Sequence, residues 1–218
     1  MSAATIEILV VTDPAAPRGI EPYLEALRSG GADWALLVRD HEATDDALAR
    51  CLETLSSEGH DVPILVAAAT LERVALCARL GTAGVHLAER GPSARAARAV
   101  LGSGIVSASV HDPAGLARRS AEGVELVTLA PFGEVAGKGR PLSDAEVRAV
   151  TELGTPVLAL GAIASGGDVS RAISLGCRGV ALRSWMARAL DGSAALGEVR
   201  AWLRRARETR PPSPFSIS

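Results

Sequence analysis

Short apolar runs rich in Val, Ile and Leu recur along the chain, separated by longer stretches in which Ala, Leu, Glu and Arg follow a helical period. The runs are Ile6 to Thr12, Trp34 to Val38, Pro63 to Val66, Gly84 to Leu87, Ile105 to Ser109, Leu126 to Ala130, Pro156 to Leu160 and Gly179 to Leu182. They show almost no polar alternation, as parallel strands covered on both faces should, and the Ala-rich stretches between them read as the covering helices. Eight such alternating units predict an α/β protein.

An internal echo bears on how the sheet closes. Leu80-Gly81-Thr82-Ala83-Gly84-Val85-His86-Leu87 resembles Leu175-Gly176-Cys177-Arg178-Gly179-Val180-Ala181-Leu182, and Val62-Pro63-Ile64-Leu65 resembles Thr155-Pro156-Val157-Leu158. The offset spans four strand-helix units, a half-barrel repeat, and each Leu-Gly reads as a helix end with Gly as its left-handed cap. An open doubly wound sheet would usually have five or six strands and a glycine fingerprint after the first. Here the first run leads into Thr12-Asp13-Pro14. The prediction is a single-domain (β/α)8 TIM barrel over residues 1–208. Its last helix is expected from Trp185 to about Glu208, basic towards its end as suits the helix dipole, and residues 209–218, with Arg210-Pro211-Pro212-Ser213-Pro214, as a disordered tail.

Composition narrows the partners. The chain has 218 residues, of which 48% are hydrophobic and 3% aromatic, and its formal net charge is -2. About 70% of the unfolded surface can be buried at this length, so no disulfide or metal is needed to hold the core. The near-neutral balance argues against a nucleic-acid or membrane partner and leaves small molecules; self-association into a homo-oligomer is left open. Cys51, Cys77 and Cys177 fit neither a disulfide framework nor a zinc site and read as reduced, partly buried residues. The start, Met-Ser-Ala-Ala-Thr, has no basic stretch and leads directly into Ile6, so a cytoplasmic protein is expected.

A barrel of this kind builds its active site from the loops at the C-terminal ends of its strands. The sixth such loop, Pro131 to Pro141, is the longest, and its glycines let Lys138, Arg140 and backbone N–H groups approach an anion together, phosphate or diphosphate being the natural ligand; a loop with two solvated cations is the plain alternative. After the seventh and eighth strands, Gly161-Ala162-Ile163 and Arg183-Ser184 make a plausible phosphate cradle, unless Gly161 and Gly166-Gly167 are merely turn residues with Ser165 as a helix cap. His111, just past the fifth strand, can move protons near neutral pH, while Asp112 suits a helix cap. His86, inside a strand, reads as a satisfied core or mouth histidine, and His60 as solvated. Asp13, Asp40 and Glu89 could each face the mouth, but no carboxylate pair suggests a divalent metal, so no metal site is expected.

Taken in order, these stretches resemble the thiamine phosphate synthase and thiazole tautomerase family over about Ile8 to Ala187. The resemblance is clearest in Gly84-Val85-His86-Leu87, Ser109-Val110-His111, the Pro131 to Lys138 loop, Gly161-Ala162-Ile163 and Gly179-Val180-Ala181-Leu182-Arg183-Ser184. The synthase branch joins a pyrimidine methyl diphosphate to a thiazole phosphate, with Mg2+ shielding the departing diphosphate. Its Gln-Leu-Arg-Glu-Lys after strand two matches Leu37-Val38-Arg39-Asp40-His41, its Asn-Asp after strand three falls in Ala67-Ala68-Ala69, and its His-Leu-Gly-Gln with a following Asp matches His86-Leu87-Ala88-Glu89-Arg90-Gly91, which supplies no such Asp. Of Thr-x-Thr-Lys after strand six only Lys138 remains, and Ala162 replaces the second Gly of Gly-Gly-Ile. Lost stabilisation of a departing diphosphate amounts to several kcal/mol per group.

The tautomerase branch aromatises a thiazole carboxylate phosphate and needs a phosphate anchor and a proton shuttle. By this resemblance His111 would move the proton and Lys138 would steer the anionic groups. Arg39 and Ser109 would contact substrate, and Gly161, Ala162, Arg183 and Ser184 would hold its phosphate. No cofactor is then expected, Mg2+ entering only with synthase chemistry. Tautomerase-like chemistry leads, synthase chemistry is the alternative, and a binding or regulatory barrel without catalysis stands third.

Overall fold

The computed structural model describes residues 3–58 and 61–209. His60 and the tail from Arg210 onward lie outside the described residues. Eight parallel strands, β1 (Ile8–Val11), β2 (Trp34–Val38), β3 (Ile64–Ala68), β4 (Gly84–Leu87), β5 (Ile105–Val110), β6 (Leu126–Leu129), β7 (Val157–Leu160) and β8 (Gly179–Leu182), form a closed barrel in chain order. β8 returns to β1, with Ile8, Leu9 and Val10 opposite Val180, Ala181 and Leu182. Seven helices cover the sheet between strands or after β7: α1 (Glu21–Arg28), α2 (Asp45–Glu58), α3 (Leu71–Arg79), α4 (Ala94–Leu101), α5 (Pro113–Ala121), α6 (Asp144–Thr151) and α7 (Gly166–Ser174); α8 (Ser184–Ala187) and α9 (Gly192–Glu208) follow β8. No helix among the described residues is long and apolar enough to cross a membrane.

The continuous apolar runs are explained by two packed layers. Leu9, Val11, Ala35, Leu37, Leu65, Ala67, Ile105, Leu126, Leu158 and Ala181 fill the barrel interior. Their neighbours along each strand, such as Val10, Leu36, Val66, Val85 and Val180, lie in the larger core beneath the helices. Because successive strand residues point to opposite faces, both must be apolar when both faces are covered. Cys77 and Cys177 belong to the outer core, where burial pushes their thiols up to about 11 and about 12, so both remain protonated and inert.

The repeat read from the sequence has a structural counterpart. Gly81 and Gly176 follow α3 and α7 with φ of 67° and 92°, the left-handed conformation expected there. At the start of β4 and of β8, an added Cβ at Gly84 would fall 2.1 Å from the Ile105 carbonyl oxygen, and one at Gly179 would fall 1.8 Å from that of Glu7. Neighbouring backbone occupies both places and cannot swing aside as a side chain could. Gly179→Ala is therefore expected to cost about 1–3 kcal/mol through overpacking at the β8/β1 seam. A lower urea midpoint with an unchanged slope would show it.

The end of the chain departs from expectation. Instead of one helix from Trp185, the short α8 stops at Ala187, and α9 starts anew with Asp191 as its cap, the carboxylate accepting from Ala194 N–H at 2.9 Å. Asp191-Gly192 is a helix-start signal, and Gly192 is required because a Cβ there would lie 1.8 Å from the Pro22 carbonyl oxygen. Arg200 and Arg207 are held by Asp33 and Glu7, which fixes α9 against the N-terminal face of the barrel.

Candidate active site at the barrel mouth

The parity of each strand extends into the loop that follows it. Counted by twos from the interior residues Val11, Leu37, Ile105 and Ala181, the inward positions at the rim are Asp13, Arg39, His111 and Arg183. Below the rim, β4 to β6 contribute a polar chain. Thr128 donates to Ser109 Oγ at 3.5 Å, the His86 ring nitrogens stand 2.9 Å from Ser109 Oγ and Ser107 Oγ, and Ser107 donates to the Val85 carbonyl at 3.2 Å. Because Ser107 gives its proton to Val85, His86 Nδ1–H must donate to Ser107, and Ser109 donates to Nε2. His86 is thus the satisfied interior histidine expected. Ser109, read as a substrate contact, has its proton committed within the barrel.

Burial, with Arg119 and Arg39 nearby, lowers the His86 pKa to about 4 from its ordinary 6.5. A neutral imidazole in the fold and an ordinary one in the unfolded chain means that unfolding takes up a proton between pH 6.5 and about 4, so this stability is complete above 6.5 and is lost as the pH falls. Denaturant unfolding across that window is expected to show a dependence approaching one proton, which His86→Asn removes.

His111 stands past β5, exposed. Its Nδ1 donates to the Ala130 carbonyl, and its Nε2 lies 3.6 Å from a Glu89 carboxylate oxygen. The carbonyl fixes which nitrogen keeps its hydrogen, so Nε2 is the one that takes or gives a proton, with Glu89 beside it. Asp112 caps α5, accepting from Gly115 N–H, as expected. Glu89 is placed by Arg119, which is 1% exposed and donates to the carbonyls of Ala88, Glu89 and Pro92 at 2.7, 3.0 and 2.7 Å and to Glu122 at 2.9 Å.

Across the mouth, Gly161 and Ala162 take φ of 117° and 55°. Among the described residues, the N–H groups of Gly161, Ala162 and Ile163 have no acceptor, nor do those of Ser184 and Trp185 at the start of α8. β7 and β8 are paired, so these free donors flank one corner of the rim. Ser165 caps α7, accepting from Asp168 N–H, as the cap reading expects, whereas Gly166 and Gly167 open the helix and are not turn residues. The Ala162 methyl lies against Gly133, whose own Cβ would fall 2.9 Å from it. Substituted for glycine, Ala162 keeps a left-handed backbone that costs an L-residue about 1 kcal/mol.

The sixth loop is anchored at its base and exposed at its tip. Phe132 N–H donates to the Leu160 carbonyl at 2.9 Å and Gly133 N–H to that of Gly161 at 3.1 Å, while Arg171 stacks 4.4 Å above the Phe132 ring. Lys138 is exposed, and its ammonium has no partner among the described residues. Arg140 corrects the expectation of two anion-facing cations. It forms a fork on Glu146 at 2.6 and 2.9 Å and turns towards α6.

At β8, β1 and β2, Arg183 lies 3.1 Å from Asp13, and the Arg39 guanidinium is half-buried. Burial alone would raise the Asp13 carboxyl, but hydrogen bonds from Arg183 and the Ala15 N–H outweigh it and hold the group below the usual carboxylate range. Burial, then Arg183, pushes Arg39 down, with Asp13 opposing. Burial first, then Arg39, lowers His41 as well, with Asp40 opposing.

The thiamine monophosphate synthase family model matches residues 8–186, nearly the whole barrel. The chain belongs to this family. A relative from Geobacter sulfurreducens, named "Putative thiamine-phosphate synthase", is 36% identical over 118 residues, 52% of this chain and 55% of the relative, so this family member matches only about half of that protein. A thiamine phosphate pyrophosphorylase structure from Pyrococcus furiosus superimposes with a TM-score of 0.78 at 21% identity, covering 93% of this chain and 97% of that one. FabK from Thermotoga maritima gives 0.68 at 19% identity, covering 84% and 59%. Likenesses at such identity speak for the shared barrel alone.

The magnesium that the synthase branch uses does not fit this member of the family. Ala67 to Ala69 stand at the end of β3, Asp13 is engaged by Arg183, and Glu89 faces His111. Asp40 accepts the N–H groups of Glu42 and Ala43 at 3.0 and 3.1 Å. Among the described residues, no three His, Cys, Asp or Glu side chains come together.

Proposed function

We propose that this thiamine monophosphate synthase family member acts on a thiazole phosphate by proton transfer, as a tautomerase-type isomerase. The observation that carries the reading is the His111–Glu89 pair at the mouth, with Nδ1 held by Ala130 and Nε2 left for the proton. The free N–H groups of Gly161 to Ile163, with those of Ser184 and Trp185, supply donors for a phosphate without a metal. At this site His111 takes the proton from the non-aromatic tautomer and returns it at another position of the intact ring. Glu89 steadies the imidazolium in between. Lys138, on its exposed tip, steers the anionic substrate towards the mouth. The partner is a small phosphorylated heterocycle, with no nucleic acid or membrane involved, in the cytoplasm.

The full chain, given the thiazole carboxylate phosphate tautomer, is expected to speed formation of the aromatic product followed by its ultraviolet absorbance. A rate equal to that in buffer would overturn the assignment. The names of the Geobacter and Pyrococcus relatives favour a second reading, coupling of a pyrimidine diphosphate to a thiazole phosphate. Release of diphosphate from the pyrimidine substrate, dependent on Mg2+ and on the thiazole phosphate, would establish that reading instead.

A further inference from the structure

Three charged side chains at one side of the mouth lie outside the proton shuttle and the free N–H donors, among them Arg183, which was expected to hold the phosphate and is instead engaged by Asp13. Arg183, Asp13 and Arg39 follow β8, β1 and β2, and β1 pairs with both of the other strands. All three have the inward parity of Ala181, Val11 and Leu37.

Asp13 is held on several sides. Its N–H donates to the hydroxyl of buried Tyr23 at 2.9 Å, and its Oδ1 accepts from Ala15 N–H at 3.2 Å and from Arg183 at 3.1 Å. Arg39 differs. Its backbone N–H is used by Thr12 Oγ1 at 2.9 Å, yet its guanidinium, half-buried beside a second arginine, has no hydrogen-bond or ion-pair partner among the described residues. A partly desolvated cation with five unused donors calls for an anion, and a planar carboxylate matches the guanidinium fork.

We propose that Arg39 and Arg183 form a carboxylate-binding subsite and that Asp13 restricts it to ligands bearing a single negative charge there. This rests on the reading above, in which the substrate carries a carboxylate as well as a phosphate. Two guanidinium groups and one carboxylate leave one net positive charge, which a carboxylate neutralises. A diphosphate brings several negative charges against Asp13, whose position is fixed by Tyr23 and Ala15 and which cannot withdraw. Asp13 is thus a specificity determinant, turning a rim that two arginines would suit to diphosphate into one that prefers a carboxylate.

Calorimetric titration of the full chain tests this with three probes: a thiazole carboxylate lacking the phosphate, inorganic diphosphate and inorganic phosphate. Asp13→Asn keeps the shape and the Oδ1 acceptor but removes the charge, and is expected to raise diphosphate affinity about tenfold at low salt while changing carboxylate affinity much less. Arg39→Gln removes no contact that holds the fold, so its melting temperature should be unchanged while carboxylate binding falls about tenfold. Binding of inorganic phosphate, reporting on the cradle, should be alike in all three proteins. Unchanged diphosphate affinity in folded Asp13→Asn, or wild-type carboxylate binding in Arg39→Gln, overturns the proposal; should Asp13→Asn fail to fold, the Arg39→Gln arm decides. Failure of the isomerase reading appears separately, as absent turnover with these binding preferences intact.

Discussion

His111→Ala is expected to lower the turnover of thiazole aromatisation by about 10²- to 10⁴-fold, the usual contribution of a positioned general acid-base group. Substrate binding should change little, because the phosphate donors lie at β7 and β8 and do not involve the imidazole. The loss therefore falls on kcat and leaves KM near its wild-type value. Stability should move by no more than about 0.5 kcal/mol, since the side chain is exposed and gives up only its bond to Ala130 and its surface contact with Glu89. Added imidazole should restore part of the rate if the ring itself moves the proton. Glu89→Gln is expected to fall between wild type and His111→Ala, because the amide can still contact Nε2 but no longer balances the charge on the ring. Steady-state kinetics of the three proteins checks this, and equal rates for wild type and His111→Ala would remove the histidine from the chemistry.

The barrel was legible because its signal is local and repeated. Each strand is a short apolar run, each connection a helical period, and the Leu-Gly echo at Gly81 and Gly176 marks the same helix end twice. The boundaries moved by a residue or two, as β3 reaching Ala68 and β1 starting at Ile8 show. The break before α9 was signalled by Asp191-Gly192 but hidden by the strong helical pattern on either side. At the mouth, parity places His111, Arg39 and Arg183 inward, and these could be nominated from sequence. Their partners could not: Asp13 comes from the opposite end of the chain for Arg183 and Glu89 from the preceding strand's loop for His111, while Glu146, six residues beyond Arg140 in α6, draws that cation off the rim. Arg119 was missed for a different reason. In Leu116-Ala117-Arg118-Arg119-Ser120 it reads as one more polar helix residue, although it falls three positions after Leu116 and so on the buried stripe.

That buried position makes Arg119 the residue whose loss should be felt most in stability. Arg119→Met, of similar reach but without charge or donors, is expected to destabilise the protein by about 3–5 kcal/mol, the range for breaking a buried ion pair by removing one partner. The cause is the set of acceptors left behind. The carbonyls of Glu89 and Pro92 lose their donor at once, that of Ala88 keeps only the Gly91 N–H at 2.9 Å, and Glu122 keeps only the Ala94 N–H at 2.9 Å. Burial pushes the Glu122 carboxyl up, and Ala94 and Arg119 overcome that and hold it below the ordinary range; without Arg119 only the Ala94 N–H and Arg118 oppose burial. Because the three carbonyls define the loop between β4 and α4, the damage reaches the mouth, where Glu89 would no longer be held opposite His111. Arg119→Met that still folds at low temperature should therefore show a reduced kcat resembling Glu89→Gln, whereas Arg118→Met, one residue away on the exposed face, should leave both stability and rate unchanged. Chemical denaturation and kinetics on the same preparations check the two effects together. A large stability loss with an unaltered rate would mean that Glu89 is placed by its own loop and that Arg119 serves the fold alone.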